Sequence, residues 1–359
     1  MEREVVDIRY VYLALICFSA IASMTAVAFV AYLVRQLHVT DGGLRVFRVL
    51  FPPRRQRTVP WGVSAIPFVL VISLLMPLLA YSLVQGLQTS GFGLQEDVTN
   101  ANAEVRSLET ETQDELSEQH PLTILMQKSG RNTIVILVCF LTAVIVAPLA
   151  EEFLFRVVIQ GGIEATLRRE YGNSALAKRL PILITALFFA AIHFRFKQEI
   201  DQSSIDVMFQ RMAATMIGNT ATVIVVIVIF RFFHIRWSDV GLWDFRRIGR
   251  DALGAFLLQL AIFIPIGAVN FTVQTLAKTQ WATTHGISSS MGDPIPLFLF
   301  AMLLGALYSR TRRFASVFFL HAFFNLYGFL ILLYLAFAAV LTQTAHGVIV
   351  PIQRGASPA

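Results

Sequence analysis

The chain has 359 residues, of which 56% are hydrophobic and only 14% are charged, and its formal net charge is +6. Soluble globular domains carry about a quarter charged residues, so this composition excludes an ordinary soluble domain. The basic residues cluster in short loops between apolar runs, which is typical of membrane orientation, and we therefore expect no nucleic-acid partner.

Eight apolar runs are long enough to cross the hydrocarbon core of a bilayer. The sequence therefore predicts an all-α, polytopic transmembrane helical bundle of about eight spans, with 1–359 as a single membrane domain. The first run follows an acidic tail and has no cleavage signal, so we interpret it as a retained helix. The predicted spans are 11–34, 63–84, 133–167, 180–196, 207–230, 252–276, 294–308 and 314–342.

Four loops hold more than half of the 29 Lys and Arg residues and fall on one side of this eight-span arrangement. The positive-inside rule predicts that this side is cytoplasmic and that both termini lie outside. The opposite side receives an acidic segment, 88–132. We expect an integral multi-pass protein of a bacterial cytoplasmic membrane, with the lipid bilayer as its first partner. The four basic loops are 35–57, 168–179, 231–250 and 309–313.

Two carboxylates and a guanidinium, from Glu151, Glu152 and Arg156, lie inside the third predicted span. Charged groups at bilayer depth cost a few kcal/mol each on insertion scales, so we interpret them as functional. Glu152 and Arg156 are four residues apart and can pair on one helix face. That pairing leaves Glu151 free to point elsewhere. The alternative without a catalytic role is a structural ion pair between helices.

Polar side chains of two other spans lie at similar depths to Glu151. At 1.5 Å per residue from the predicted cytoplasmic ends, Glu151 lies roughly 25 Å deep, His193 roughly 20 Å, and His321 and Asn325 roughly 12 and 18 Å. A carboxylate among apolar groups suits a general base, and an imidazole can hold water or a metal. A second imidazole and a carboxamide can stabilise an oxyanion. Together they indicate amide hydrolysis within a membrane.

These residues form three spaced motifs, which resemble those of the CAAX protease and bacteriocin-processing (CPBP) family of intramembrane proteases. The resemblance covers mainly 133–196 and 294–330, and it extends to Gly305-Ala306-Leu307-Tyr308 and Thr311 before the third motif. The motifs are EExxxR (Glu151, Glu152, Arg156), FxxxH (Phe189, His193) and HxxxN (His321, Asn325).

The resemblance implies an endopeptidase in which Glu151 activates water, supported by Glu152 and Arg156. It further implies that His193 positions the water or a metal and that His321 and Asn325 stabilise the oxyanion. A divalent metal, such as zinc held by Glu151, His193 and His321, and a metal-free glutamate mechanism both stay open. The implied substrate is a membrane-associated or lipidated peptide, with CAAX proteins as one class and bacteriocin-like peptides as another.

The spacing between the second and third motifs is unusually long in this chain and departs from the family pattern. We therefore predict a protease-like core of 133–196 and 294–342, interrupted by an inserted two-span region, 197–292. An even number of inserted spans returns the third motif to its proper side of the membrane.

Two other classes of function stay open. A proton-coupled transporter would use Glu151 and Glu152 as a relay, although the chain has no inverted repeat. A catalytically inactive scaffold or immunity-type protein would keep the fold alone. For His321 and Asn325, the bland alternative is hydrogen bonding between helices. The phenylalanines, including Phe189, are interpreted as packing or lipid-facing residues.

Overall fold

The computed structural model describes residues 8–38, 49–52, 59–89, 125, 132–193, 205–232, 234–235, 241, 247–277 and 294–347. Within these ranges the chain is helical and contains no strand, and eight helices are long and apolar enough to cross a membrane. The predicted all-α class with eight spans is therefore confirmed. Nearly all of the acidic segment 88–132 lies outside the described residues.

The eight helices carry the labels α1 to α8 in chain order, and each corresponds to one predicted span. Exposed apolar side chains cover much of their outer faces, as expected of surfaces that contact lipid. The helices are α1 (Ile8–His38), α2 (Ala65–Thr89), α3 (Thr133–Tyr171), α4 (Ala175–Ile192), α5 (Ile205–Phe232), α6 (Ile248–Ala277), α7 (Pro294–Thr311) and α8 (Phe314–Gly347).

Helix α3 is continuous, but its hydrogen-bonding pattern changes along its length. Two π-helical stretches, Leu141–Val146 and Phe153–Gln160, flank the α-helical turn Ala147–Glu152 that carries both acidic residues. π-Helical turns are rare and occur frequently at functional sites. The acidic pair thus lies on a short α-helical segment whose neighbours on both sides have a widened backbone.

The predicted bounds of the fourth span were wrong at both ends. Helix α4 begins at Ala175, because the Ser174 side chain accepts a hydrogen bond from the Ala177 N–H and caps the helix. Pro181, one residue after the predicted start at 180, lies inside the helix. The helix ends at Ile192, so His193 lies at its C-cap and not within the span.

The chain divides into two compact units. The first comprises 1–74, 148–200 and 220–324, and the second comprises 75–147, 201–219 and 325–359. The main core of the first unit includes residues of seven helices, α1, α2, α3, α5, α6, α7 and α8. In the second unit, Cys139 and Phe329 belong to a separate core, and Pro77 packs closely on Gly218.

The predicted inserted region contributes to the core of the first unit through α6. The Thr272 hydroxyl donates to the Ser19 carbonyl across 2.9 Å, and the Ser23 hydroxyl donates to the Ala268 carbonyl across 3.3 Å. Apolar side chains of α6 are buried in the same core as α1 and α7. The second inserted span is therefore packed within this unit and is not peripheral to it.

The arginines of the predicted basic loop 309–313, between α7 and α8, are largely buried. Arg310 and Arg313 are buried, and Arg313 pairs with Asp251 while Arg312 pairs with Glu164. Helix α7 also continues to Thr311, beyond the predicted end of its span. The turn therefore joins α8 to α3 and α6 through ion pairs.

Gly241 allows the chain to pass close to this turn. Its φ is +72°, which favours glycine, and its carbonyl accepts a hydrogen bond from the Phe314 N–H across 3.1 Å. A Cβ at this position would lie 2.3 Å from the Arg312 carbonyl oxygen. The predicted inserted region thus contacts the first residue of the helix that carries His321.

Arg310 is expected to be a major stabilising residue of the first unit. Its guanidinium donates to the Phe51 carbonyl across 2.7 Å and to the Leu37 carbonyl across 3.0 Å, which caps the C-terminal end of α1. Each buried polar group left unsatisfied costs about 1–3 kcal/mol. Arg310→Ala should therefore lower the free energy of unfolding by several kcal/mol.

The measurement is equilibrium unfolding in mixed micelles by increasing mole fraction of sodium dodecyl sulfate. Arg179→Ala, which removes an exposed arginine, is the matched control and should behave as the wild type. Equal unfolding midpoints for Arg310→Ala and Arg179→Ala would show that the hydrogen bonds of Arg310 contribute little to stability.

Candidate functional site

The Glu152–Arg156 ion pair lies buried beneath the site. Both side chains have 0% exposure, and Arg156 Nε donates to Glu152 Oε2 across 3.0 Å. The guanidinium carbon also lies 5.8 Å from the centre of the Phe189 ring. The predicted pairing on one helix face is thus present, and each charge reduces the cost of burying the other.

Glu152 also fixes the orientation of His321. Its second oxygen, Oε1, lies 2.8 Å from His321 Nδ1. Because an ionised carboxylate oxygen only accepts hydrogen bonds, Nδ1 carries the hydrogen and donates it. The Nε2 atom of the same ring lies 3.8 Å from Glu151 Oε2. His321 therefore lies between the two carboxylates, with one ring nitrogen facing each of them.

His193 approaches Glu151 from the end of α4. Its Nδ1 lies 2.7 Å from the Phe189 carbonyl oxygen, which can only accept, so Nδ1 is again the donor. Its Nε2 lies 3.7 Å from Glu151 Oε2. The C-cap position places the ring beyond the last helical turn, where it folds back onto its own backbone.

Glu151 is the point at which the three elements meet. Its Oε2 faces the Nε2 atoms of both histidines, and the Glu151 and His193 side chains are 26% and 30% exposed, whereas His321 is buried. Both nitrogen–oxygen distances are too long for a direct hydrogen bond, and contacts of this length in proteins are commonly bridged by water. The arrangement can thus hold a water between one carboxylate and two imidazoles.

Phe189 holds both imidazoles in place, a role that the sequence did not assign to it beyond packing. Its ring centre lies 4.3 Å from that of His193 and 5.9 Å from that of His321, and its side chain is almost fully buried. Phe155 packs edge-on against it at 5.0 Å. The four-residue spacing from Phe189 to His193 was the signal for this contact.

The donor atoms have the chemistry of a catalytic zinc site, since Glu151, His193 and His321 would supply one oxygen and two nitrogens. In the part of the chain that the structure describes, however, no group of three or more His, Cys, Asp or Glu side chains is placed to hold a metal ion. The zinc role expected for these three side chains stays a prediction. No step of the reaction proposed for this chain passes through a metal.

Asn325 has a partner of its own within the second unit. Its Nδ2 donates to the Ala143 carbonyl oxygen across 2.8 Å. A carboxamide nitrogen carries two hydrogens, so this bond uses one of them and orients the other. The oxyanion role expected for Asn325 stays a prediction.

Sequence comparison finds a family model that matches the part of the chain with Glu151 and His193. Residues 133–217 match the family model described as type II CAAX prenyl endopeptidase, Rce1-like. The matched segment contains the first two motifs, with Glu151 and His193, whereas His321 lies beyond it. No curated protein and no solved structure matches the chain. Over 133–217 this match confirms the predicted resemblance to CAAX-type intramembrane endopeptidases.

Proposed function

We propose that this chain is an intramembrane endopeptidase that hydrolyses a peptide bond of a lipidated or membrane-associated protein. The observation that carries the proposal is the meeting of Glu151 with two imidazoles, with distances of 3.7 and 3.8 Å to its Oε2. The family match supports CAAX-type endopeptidase activity in general. It does not favour a transporter or an inactive scaffold.

In the proposed reaction, Glu151 accepts a proton from water as the water oxygen attacks the carbonyl carbon of the scissile bond. The Nδ1 hydrogens of His193 and His321 are already committed to Phe189 and Glu152, so their Nε2 atoms can only accept, and one of them accepts the second hydrogen of this water. The carbon–nitrogen bond then breaks, and Glu151 returns the proton to the leaving amine. One water is consumed, and a carboxylate and an amine are formed.

The oxyanion of the tetrahedral intermediate requires hydrogen-bond donors. Asn325, four residues after His321 along α8, supplies a carboxamide hydrogen for this role in our proposal. His321 can donate from Nε2 only when its ring is protonated, since its Nδ1 hydrogen is directed at Glu152. The neutral ring instead orients water, which differs from the oxyanion role that the resemblance implied for His321.

The substrate class is tested with the purified protein in liposomes and three synthetic peptides. The first ends in a prenylated CAAX sequence, the second is the same peptide without the prenyl group, and the third is a transmembrane peptide. We expect the prenylated peptide to be cleaved most efficiently, because the site lies within an apolar helical bundle whose outer helix faces are also apolar. Equal cleavage of the first two peptides would contradict a prenyl substrate.

Each cleavage reaction is repeated after treatment with a strong chelator. Since the proposed reaction uses Glu151 without a metal, we expect the rate to stay within about twofold of the untreated protein. A loss that added zinc restores would instead show that Glu151, His193 and His321 rearrange around a metal. Thermal unfolding with and without chelator checks that the treatment leaves the fold intact.

A further inference from the structure

A row of buried polar side chains runs along α3 from the site toward the end that is predicted to be cytoplasmic. Glu152, Arg156, Gln160 and Glu164 recur every four residues, and none of them is more than 2% exposed. We call these four residues the polar stripe. Polar groups at membrane depth are expensive, so an uninterrupted row over three turns calls for a physical explanation.

Part of the polar stripe is satisfied by neighbouring protein groups. Gln160 Nε2 donates to the Gly305 carbonyl across 2.9 Å. At the far end, Glu164 Oε1 accepts from Arg168 Nη2 across 2.7 Å and also pairs with Arg312. These contacts fix α3 against α7 and against the turn that leads to α8.

Four other atoms of the polar stripe have no hydrogen-bond partner among the described residues. They are the two terminal nitrogens of Arg156, Oε1 of Gln160 and Oε2 of Glu164, and all four are buried. Leaving each such atom unsatisfied would cost about 1–3 kcal/mol, or more where it is charged. Buried polar atoms in folded proteins are overwhelmingly paired, either with protein or with ordered water.

The chemistry of these atoms selects the ligand. Arg156 can only donate hydrogen bonds, whereas the oxygens of Gln160 and Glu164 accept them. A molecule that joins them must both donate and accept within a narrow space, which is what a buried water does. Gly305 allows Gln160 to approach α7 closely, because a Cβ at that position would lie 3.1 Å from Gln160 Oε1 and 2.8 Å from Ile182 Cγ2.

We propose that the polar stripe binds a file of water molecules that connects Glu152 with the Glu164 end of α3. From Glu152 the connection continues through His321 to Glu151, along contacts of 2.8 and 3.8 Å. The file would allow protons to be exchanged with the catalytic carboxylate through the His321 ring. This functional role depends on the proposed endopeptidase, whereas the presence of the water does not.

Hydroxyl radicals generated from internal water by a short X-ray pulse label the side chains that the water contacts. Phe189, next to Arg156, and Tyr308, next to Arg312, should be labelled despite their burial. Phe153 and Phe329 are buried in apolar clusters and serve as matched controls. Labelling of Phe189 and Tyr308 at least severalfold above these controls is expected. Labelling at the control level would overturn the proposal.

Gln160→Leu removes the central acceptor and puts an apolar side chain of similar size in its place. In this variant we expect the labelling of Phe189 to fall toward that of Phe153, with thermal unfolding confirming a folded protein. Unchanged labelling of Phe189 in a folded variant would overturn the assignment of the file to Gln160. Both measurements are independent of proteolysis, so a failure of the proposed function would leave their outcome readable.

The functional role is read from kinetics of the same variant. Interrupted exchange should lower kcat severalfold with little change in KM, and Gln160→Glu, which restores an acceptor oxygen, should recover most of the loss. A purely structural role for Gln160 predicts no such recovery, because glutamate cannot donate to the Gly305 carbonyl in its ionised form.

Discussion

Glu151→Gln is expected to abolish peptide hydrolysis while leaving the fold intact. Glutamine keeps the size of the side chain but cannot accept a proton from water, and loss of a general base typically costs about 10²–10⁴-fold in rate. The Glu151 carboxylate is partly exposed, and its contacts with both imidazoles are longer than hydrogen bonds. Removing its charge should therefore have little effect on stability. The measurement is kcat on a fluorogenic membrane peptide, with thermal unfolding in parallel.

The matched control is Glu170→Gln at the exposed end of α3. Glu170 lies on the same helix but outside the site, so its replacement should leave kcat and unfolding unchanged. Comparable activity of the Glu151→Gln variant and the wild type would contradict the assignment of the base. A large loss of stability would instead place Glu151 among the structural residues.

Glu152→Leu is expected to destabilise the first unit strongly. The variant leaves the Arg156 guanidinium buried without its counter-ion, and breaking a buried pair in this way typically costs about 3–5 kcal/mol. It also removes the oxygen to which His321 Nδ1 donates. Unfolding can be followed by tryptophan fluorescence, since the Trp61 ring is stacked on Phe230 within the core of this unit.

The double variant Glu152→Leu with Arg156→Met separates charge burial from packing. Removing both partners of a buried ion pair is often neutral or stabilising, so stability should return toward that of the wild type. Hydrolysis should stay impaired, because His321 lacks the group that orients it. A double variant no more stable than Glu152→Leu alone would contradict the ion-pair account.

The sequence predicted those parts of the site that depend on helix geometry alone. Glu152 and Arg156 lie four residues apart, and that spacing was sufficient to predict their contact. The similar depths of Glu151, His193 and His321 came from counting residues along apolar runs. The structure brings these three side chains together, with Glu151 Oε2 3.7 and 3.8 Å from the two imidazoles.

Contacts between distant segments could not be predicted in this way. Arg310 and Arg313 followed the positive-inside pattern, yet carbonyls of Leu37 and Phe51 and the Asp251 carboxylate bind them in the interior. A loop arginine that orients the chain and one that clamps two helices have the same local sequence. Burial alone distinguishes them, and it depends on the tertiary packing.

Two features of the site were visible in the sequence but were not interpreted. Gln160 and Glu164 extend the spacing of Glu152 and Arg156 by two further turns, a regularity that becomes significant only once all four side chains are known to be buried. The Ser174 cap was the second. The predicted span contained His193, whereas α4 begins after Ser174 and ends at Ile192, so that His193 is its C-cap residue.

The account is tested most directly by cleavage of a prenylated CAAX peptide in water enriched in ¹⁸O. The purified protein in liposomes should release a product whose new carboxyl group carries one ¹⁸O atom, as detected by mass spectrometry, and the Glu151→Gln variant should release none. This result would establish hydrolysis by water activated at Glu151. Product formed equally by the variant, or no product from a folded wild-type protein with any of the three peptides, would contradict it.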